Sequence, residues 1–240
     1  MPAGKTLDRL RFFGFSQTRH MRIPFSRLLL VGVALLQSAC AGFSGGWESL
    51  PYVGDHPPPV PPEYRTPYEA RMRNTLAFDG IRVEVDLRNQ VRTSDMDVVL
   101  YVVPISIDPR EVSLGGRGRT RLELVIEAQR AGFKFVPGEV VLGTSRGPHR
   151  PVSAVNRKLL AAQGSSGGVR GVESQPIERE LVLAELNRPY VVILEFATEP
   201  PDPRSRDITL DLSNALQAPV PGKSLPLIRF LPVRWQQGYT

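Results

Sequence analysis

Five aspartates stand where a β protein could assemble acid/base chemistry. Asp95 and Asp97 flank Met96 just before an apolar stretch, and Asp202, Asp207 and Asp211 fall in one turn-rich stretch. Paired carboxylates of this kind supply oxygen ligands to a hard cation such as calcium, or the acid and base of a hydrolase. In turns and on strand faces the same residues more often hydrogen-bond nearby backbone or meet solvent. Imidazole chemistry is thinner. His56 lies in a Pro-rich stretch and His149 follows Gly147 and Pro148, so neither falls where a packed element would orient a general base. Cys40 is the only cysteine, which leaves no thiol and imidazole set for zinc or copper and no disulfide within the chain. The serines lack a G-x-S-x-G turn, and Gly115-Gly116-Arg117-Gly118 lacks the Lys-Ser/Thr ending of a phosphate loop. The expectation is a non-enzymatic protein without metal or cofactor, with a carboxylate hydrolase as the rival.

The surroundings of Cys40 give it another use. From Met21 the chain carries Arg22 and Arg27, then the apolar run LLLVGVALL at 28–36, then Ser38, Ala39 and Cys40. Nine helical residues rise only about 14 Å, too short for a hydrocarbon core of about 30 Å, so the pattern is that of a secretory signal with Met21 as its start. Leu36-Gln37-Ser38-Ala39-Cys40 resembles the lipobox of bacterial lipoproteins, although Gln37 stands where that motif usually has Leu. The resemblance covers about 20 residues and implies cleavage between Ala39 and Cys40 and lipidation of Cys40. It also implies a membrane partner reached through acyl chains. Ala41, in place of Asp, is similar to lipoproteins passed on to the outer membrane. The competing pattern is Ala39-Cys40-Ala41, an A-x-A site whose cleavage after Ala41 releases a soluble periplasmic protein.

Charge supports removal of the leader as the origin of the basic balance. The chain carries +6 and its pI is near 9.8, values that would raise nucleic acid as a partner. Six of the basic residues and one acidic residue lie within 1–39, so residues 40–240 hold 24 basic and 23 acidic side chains. Nucleic acid is not expected as a partner; an envelope protein is.

The elements that must position these residues read as β. Pro (23) and Gly (21) are abundant, and regular helical segments are lacking between the apolar alternations. Residues 40–67 hold Gly42, Ser44, Gly45, Gly46 and seven prolines and read as a flexible tether. Thr66-Pro67-Tyr68-Glu69 predicts a short helix over 67–75. Ile81, Val83, Val85 and Leu87 alternate with charged residues, as do Leu122, Leu124, Ile126 and Ala128, each pattern a half-buried strand. Residues 97–107, DVVLYVVPISI, read as a central strand that meets a sheet edge or bulge at Pro104. Further strands are predicted at 133–136, 139–142, 180–184, 190–197, 208–212 and 225–231, a helix over 155–163 and a mobile loop over 164–175. Together these give about nine strands in one immunoglobulin-like antiparallel β-sandwich over 68–240, preceded by a signal helix and the tether. Trp47 and Trp235 are amphipathic aromatics able to grip sugar or protein, with core packing favoured for Trp235.

Overall fold

A computed structural model describes residues 40–59, 74–99, 103–108, 110–115, 118–161, 169–219 and 225–239. The predicted signal helix, Ala39 and the predicted helix over 67–75 up to residue 73 lie outside the described residues. Seventeen strands are described. In chain order they are β1 (Cys40–Val53), β2 (Thr75–Phe78), β3 (Ile81–Leu87), β4 (Val91–Val99), β5 (Val103–Asp108) and β6 (Val112–Ser113). There follow β7 (Thr120–Ala128), β8 (Lys134–Phe135), β9 (Val141–Thr144), β10 (Gly147–His149), β11 (Pro151–Ala161) and β12 (Val169–Pro176). The last are β13 (Leu181–Val182), β14 (Pro189–Phe196), β15 (Thr209–Asp211), β16 (Leu216–Gln217) and β17 (Ile228–Tyr239). Half of the excess over nine lies in β2, β6, β10 and β16, each of two to four residues and too short to show a period in sequence; the rest comes from β1, β11, β12 and the division of 97–107 between β4 and β5.

The strands form antiparallel sheets in a sandwich-like arrangement. One sheet runs β10-β9-β15-β17-β1-β4-β5, with β6 also on β4; the facing sheet runs β12-β11-β14-β7-β3-β2; and β13-β8-β16 forms a small third sheet. The alternation seen in sequence is the packing pattern. Along β3 and β7 every second side chain is buried, and Val83, Val85, Leu122, Leu124 and Ile126 are fully buried. They meet Val192, Leu194 and Phe196 of β14 in their own sheet, Leu142, Leu210, Ile228 and Phe230 from the opposite sheet, and Phe135 and Leu216 from the third. Each such side chain contributes about 1.5–3 kcal/mol relative to exposure. The stretch 97–107, predicted as one central strand, is divided between the end of β4 and β5, which pair antiparallel with each other; Pro104 lies on β5, an edge strand, opposite a register shift between Asp97 and Val98, as a residue without an N–H donor requires.

Three further segments depart from expectation. Residues 40–53, predicted as tether, form β1, a central strand between β4 and β17. Its glycines serve close packing rather than looseness: β1 bulges against β4 between Gly45 and Gly46, and a Cβ at Gly46 would collide with the Val91 carbonyl. Gly46→Val should therefore destabilise the domain by about 1–3 kcal/mol, read as a lower denaturation midpoint at unchanged m-value. Residues 155–161 are strand rather than helix, because β11 is held by β14 on one side, with Val155 opposite Ile193, and by β12 on the other. Helix propensity in Leu159-Leu160-Ala161 loses to the ladder with β12. Of the predicted loop over 164–175, residues 169–175 are strand, since β12 begins at Val169; residues 164–168 lie outside the described residues.

Candidate functional site

Cys40 is the first residue of β1, and the backbone register fixes its neighbours. Cys40 lies opposite Val99 and Ala41 opposite Val98 on β4, while Val99 in turn lies opposite Val103 on β5. On the other flank Gly42 lies opposite Tyr239 of β17. The attachment point predicted from sequence thus belongs to the body of the large sheet, at the end where Val99 of β4 pairs with Val103 of β5.

The structure does not gather the candidate carboxylates into one site. Asp95 and Asp97 lie on β4, with Asp95 opposite Asp108 and Asp97 opposite Ser106. Asp211 lies on β15, which β17 and β1 separate from β4, roughly 14 Å across the sheet. Along the strands the offset is larger: Thr209 lies opposite Arg229 and so in line with Tyr52, whereas Asp95 is in line with Ser44, a separation of roughly 26 Å. Acid and base of a glycosidase sit only about 5–9.5 Å apart. The others have local tasks. The Arg204 guanidinium donates to both Asp202 oxygens at 2.9 Å and to Glu111 at 3.1 Å, and these hydrogen bonds hold the Asp202 carboxyl below its usual range. Asp211 accepts the Ser213 N–H at 2.9 Å in a turn, and Asp207 is exposed. Among the described residues no three His, Cys, Asp or Glu side chains gather as metal ligands would. His56 is exposed after β1, and His149 is half-buried on β10 with Nε2 3.3 Å from Thr144 Oγ1.

The most constrained polar groups lie where no motif pointed. Between β3 and β4 the chain passes from one sheet to the other through Arg88, Asn89 and Gln90. Asn89 is buried; its amide donates to Ser49 Oγ at 2.8 Å and to the Pro201 carbonyl at 3.1 Å. Gln90 donates to Glu48 Oε2 at 2.7 Å. Glu48 is 7% exposed, its Oε1 has no hydrogen-bond partner among the described residues, and the same holds for Nε1 of Trp235. Leu50, Val233, Leu231 and Trp235 form a small apolar cluster on the same sheet face, so Trp235 packs as its core reading requires. Trp47 points to the other face, with the Arg234 guanidinium 5.7 Å from its ring centroid. Sequence could flag this junction only weakly, since Glu48 carries no partner at helix or strand spacing.

Burial pushes the Glu48 carboxyl above its ordinary range; the Gln90 hydrogen bond pulls the other way, and the Asp86 charge adds to the rise. A carboxyl raised on folding favours the folded state most at low pH. Its contribution is lost as pH climbs from about 4.3, the unfolded value, through the raised folded value. Glu48→Gln keeps an acceptor for the Gln90 amide and removes the ionisation, so it should flatten the fall in stability over that window and raise the neutral-pH midpoint. Denaturation midpoints of both chains from pH 4 to 8 check this.

A cleft of about 270 Å³ lies between the middle of β11 and the start of β14, bordered by Arg157, Lys158, Arg188 and Tyr190. It falls just below the usual volume of a small-molecule site, and Arg188 is already paired with Glu185 at 2.7 Å. The fold and its polar junctions define an all-β antiparallel sandwich with a sheet-borne cysteine at one end. Neither a protein-family model nor a curated protein matches the chain.

Proposed function

We propose that this protein is a lipid-anchored component of the bacterial cell envelope, held in the outer membrane by acyl chains on Cys40 and serving there as a non-enzymatic structural, assembly or binding element. The observation that carries this reading is the sequence Leu36-Gln37-Ser38-Ala39-Cys40 behind a basic and then apolar leader. Two features support the non-enzymatic part. Asp202 and Asp211 are engaged in an ion pair and a turn, and Asp95 and Asp211 are too far apart to share a substrate. The large sheet then begins at the anchored residue, so that the sandwich stands directly at the bilayer rather than on a tether.

Intact-mass analysis of the amino terminus of the protein purified from membranes tests the reading. The expected species begins at Cys40 and carries a diacylglycerol thioether. An unmodified terminus at Gly42 would overturn the anchor and leave a soluble periplasmic protein.

A further inference from the structure

The strand β11 parts from one of its neighbours midway along its length, and a cleft opens there. Its ladder with β14 ends at Arg157 opposite Val191, while its ladder with β12 runs on to Ala161 opposite Val169. β14 stays with β7 as far as Pro189, opposite Glu127, and Pro189 has no N–H to offer β11. The cleft of about 270 Å³ therefore lies where β11 and β14 are no longer joined. Arg157, Lys158 and Arg188 bring three positive charges to it against the single negative charge of Glu185. Among the described residues neither Arg157 nor Lys158 forms an ion pair; Glu173, opposite Lys158 on β12, accepts instead from Gln175 Nε2 at 3.1 Å. Asn156 shares a row with the fully buried Val192 and is itself 4% exposed. It lines the cleft, and among the described residues its side chain has no hydrogen-bond partner. An amide is kept in a core-facing position only at a cost unless something pairs with it.

We infer that this cleft is a binding site for a phosphomonoester, held by Arg157, Lys158, Arg188, the Tyr190 hydroxyl and the Asn156 amide. The charge balance selects the ligand class. Three cations less one carboxylate leave two positive charges, which a phosphomonoester neutralises at pH 7 and a lone carboxylate does not. The donors are in place as well. Arg188 commits one nitrogen to Glu185 at 2.7 Å and keeps its other N–H groups, and Tyr190 Oη accepts the Glu185 N–H at 2.9 Å, which leaves its own proton to donate. The Asn156 amide can give to a phosphate oxygen and accept from a hydroxyl beside it. The side chains of Arg188 and Glu185 are 75% and 54% exposed, so their ion pair holds Arg188 only weakly and Glu185 is the counter-ion that phosphate displaces. A cleft this small takes the phosphate and leaves the rest of the molecule outside. The site is independent of Cys40, and a soluble phosphomonoester and a phosphatidic acid headgroup present the same group to it.

Calorimetric titration of the full-length protein with inorganic phosphate and with glycerol 3-phosphate tests the assignment, with acetate as the monoanionic control. The expected result is one phosphate per chain, bound more tightly than acetate. Arg157→Gln removes a charged donor and should weaken phosphate about tenfold or more; Lys158→Gln repeats the measurement if the first variant folds poorly. Glu185→Gln removes the competing carboxylate and releases Arg188, so it should tighten binding severalfold. Opposite signs from two neighbouring charge removals are what an anion site requires and what a general loss of structure would not give. Dihexanoyl phosphatidic acid, soluble as a monomer, identifies the source: affinity well above that for glycerol 3-phosphate supports a lipid headgroup, and equal affinity supports a soluble ligand. No heat at millimolar phosphate overturns the inference. So does binding that acetate matches, or that neither Arg157→Gln nor Lys158→Gln weakens, since the anion would then sit elsewhere.

Discussion

On the proposed anchor, Cys40→Ser is expected to abolish lipidation and, with it, retention in the outer membrane. A thioether cannot form on serine, so neither the diacylglycerol nor the cleavage that depends on it takes place. One acyl chain gives only marginal membrane binding, whereas two or three chains, at about 0.8 kcal/mol per buried methylene, make release very slow. Residues 40–240 hold 24 basic and 23 acidic side chains, too even a balance for electrostatic attraction to an anionic surface, and among the described residues no helix is long and apolar enough to cross a membrane. The variant should accumulate as unprocessed precursor, or as a soluble product cut beside Ala39 or Ala41. Fractionation together with amino-terminal mass distinguishes the two. A variant that fractionates and migrates like the parent would exclude Cys40 as the anchor.

Phe135→Ala should lower stability by about 3–5 kcal/mol, a large share of the roughly 5–15 kcal/mol that holds an ordinary domain together. Phe135 is fully buried at the centre of the small third sheet, opposite Leu181 on one side and Leu216 on the other. Its ring fills the space where that sheet meets the main core, and β8 has only two residues with which to hold its neighbours. Truncation removes the ring and leaves a void that rigid ladders on both sides cannot close. Phe135→Leu retains most of the volume and should lose much less. Urea titration of the three proteins gives the comparison, and a Phe135→Ala midpoint within error of the parent would mean that the third sheet is peripheral to the fold.

The parts of this fold legible in sequence are those in which one face of a strand is wet. Along β3 and β7 charged residues alternate with Val, Leu and Ile, and only period two buries the one set while exposing the other. Pro104 likewise announced an edge. β1 was illegible because its signal is carried by what is missing: Gly45 and Gly46 are required by the closeness of the β4 backbone, which local sequence does not encode, and the same residues read equally well as a linker. β11 was mistaken because Leu159-Leu160-Ala161 favours a helix locally and is strand only through β12. For the candidate site the division is sharper. On the proposed reading the lipobox-like residues would address an enzyme that reads the chain before it folds, so sequence suffices to notice them. The junction of Glu48, Asn89 and Pro201 joins residues remote in the chain, and only the crossing of β3 into β4 brings them together.

The pairing of β1 with β17 bears on when the protein can fold. Their register runs from Val53 opposite Ile228 to Gly42 opposite Tyr239, which joins residues near the start of the domain to those near its finish. Contacts of such sequence separation close slowly, after shorter-range hairpins. In a chain exported from its amino end, β1 would reach the far side first and find its partner on one edge still inside the cell. The large sheet could not be completed until β17 had passed, so on the proposed export the topology itself would keep the chain threadable for the whole of its transit.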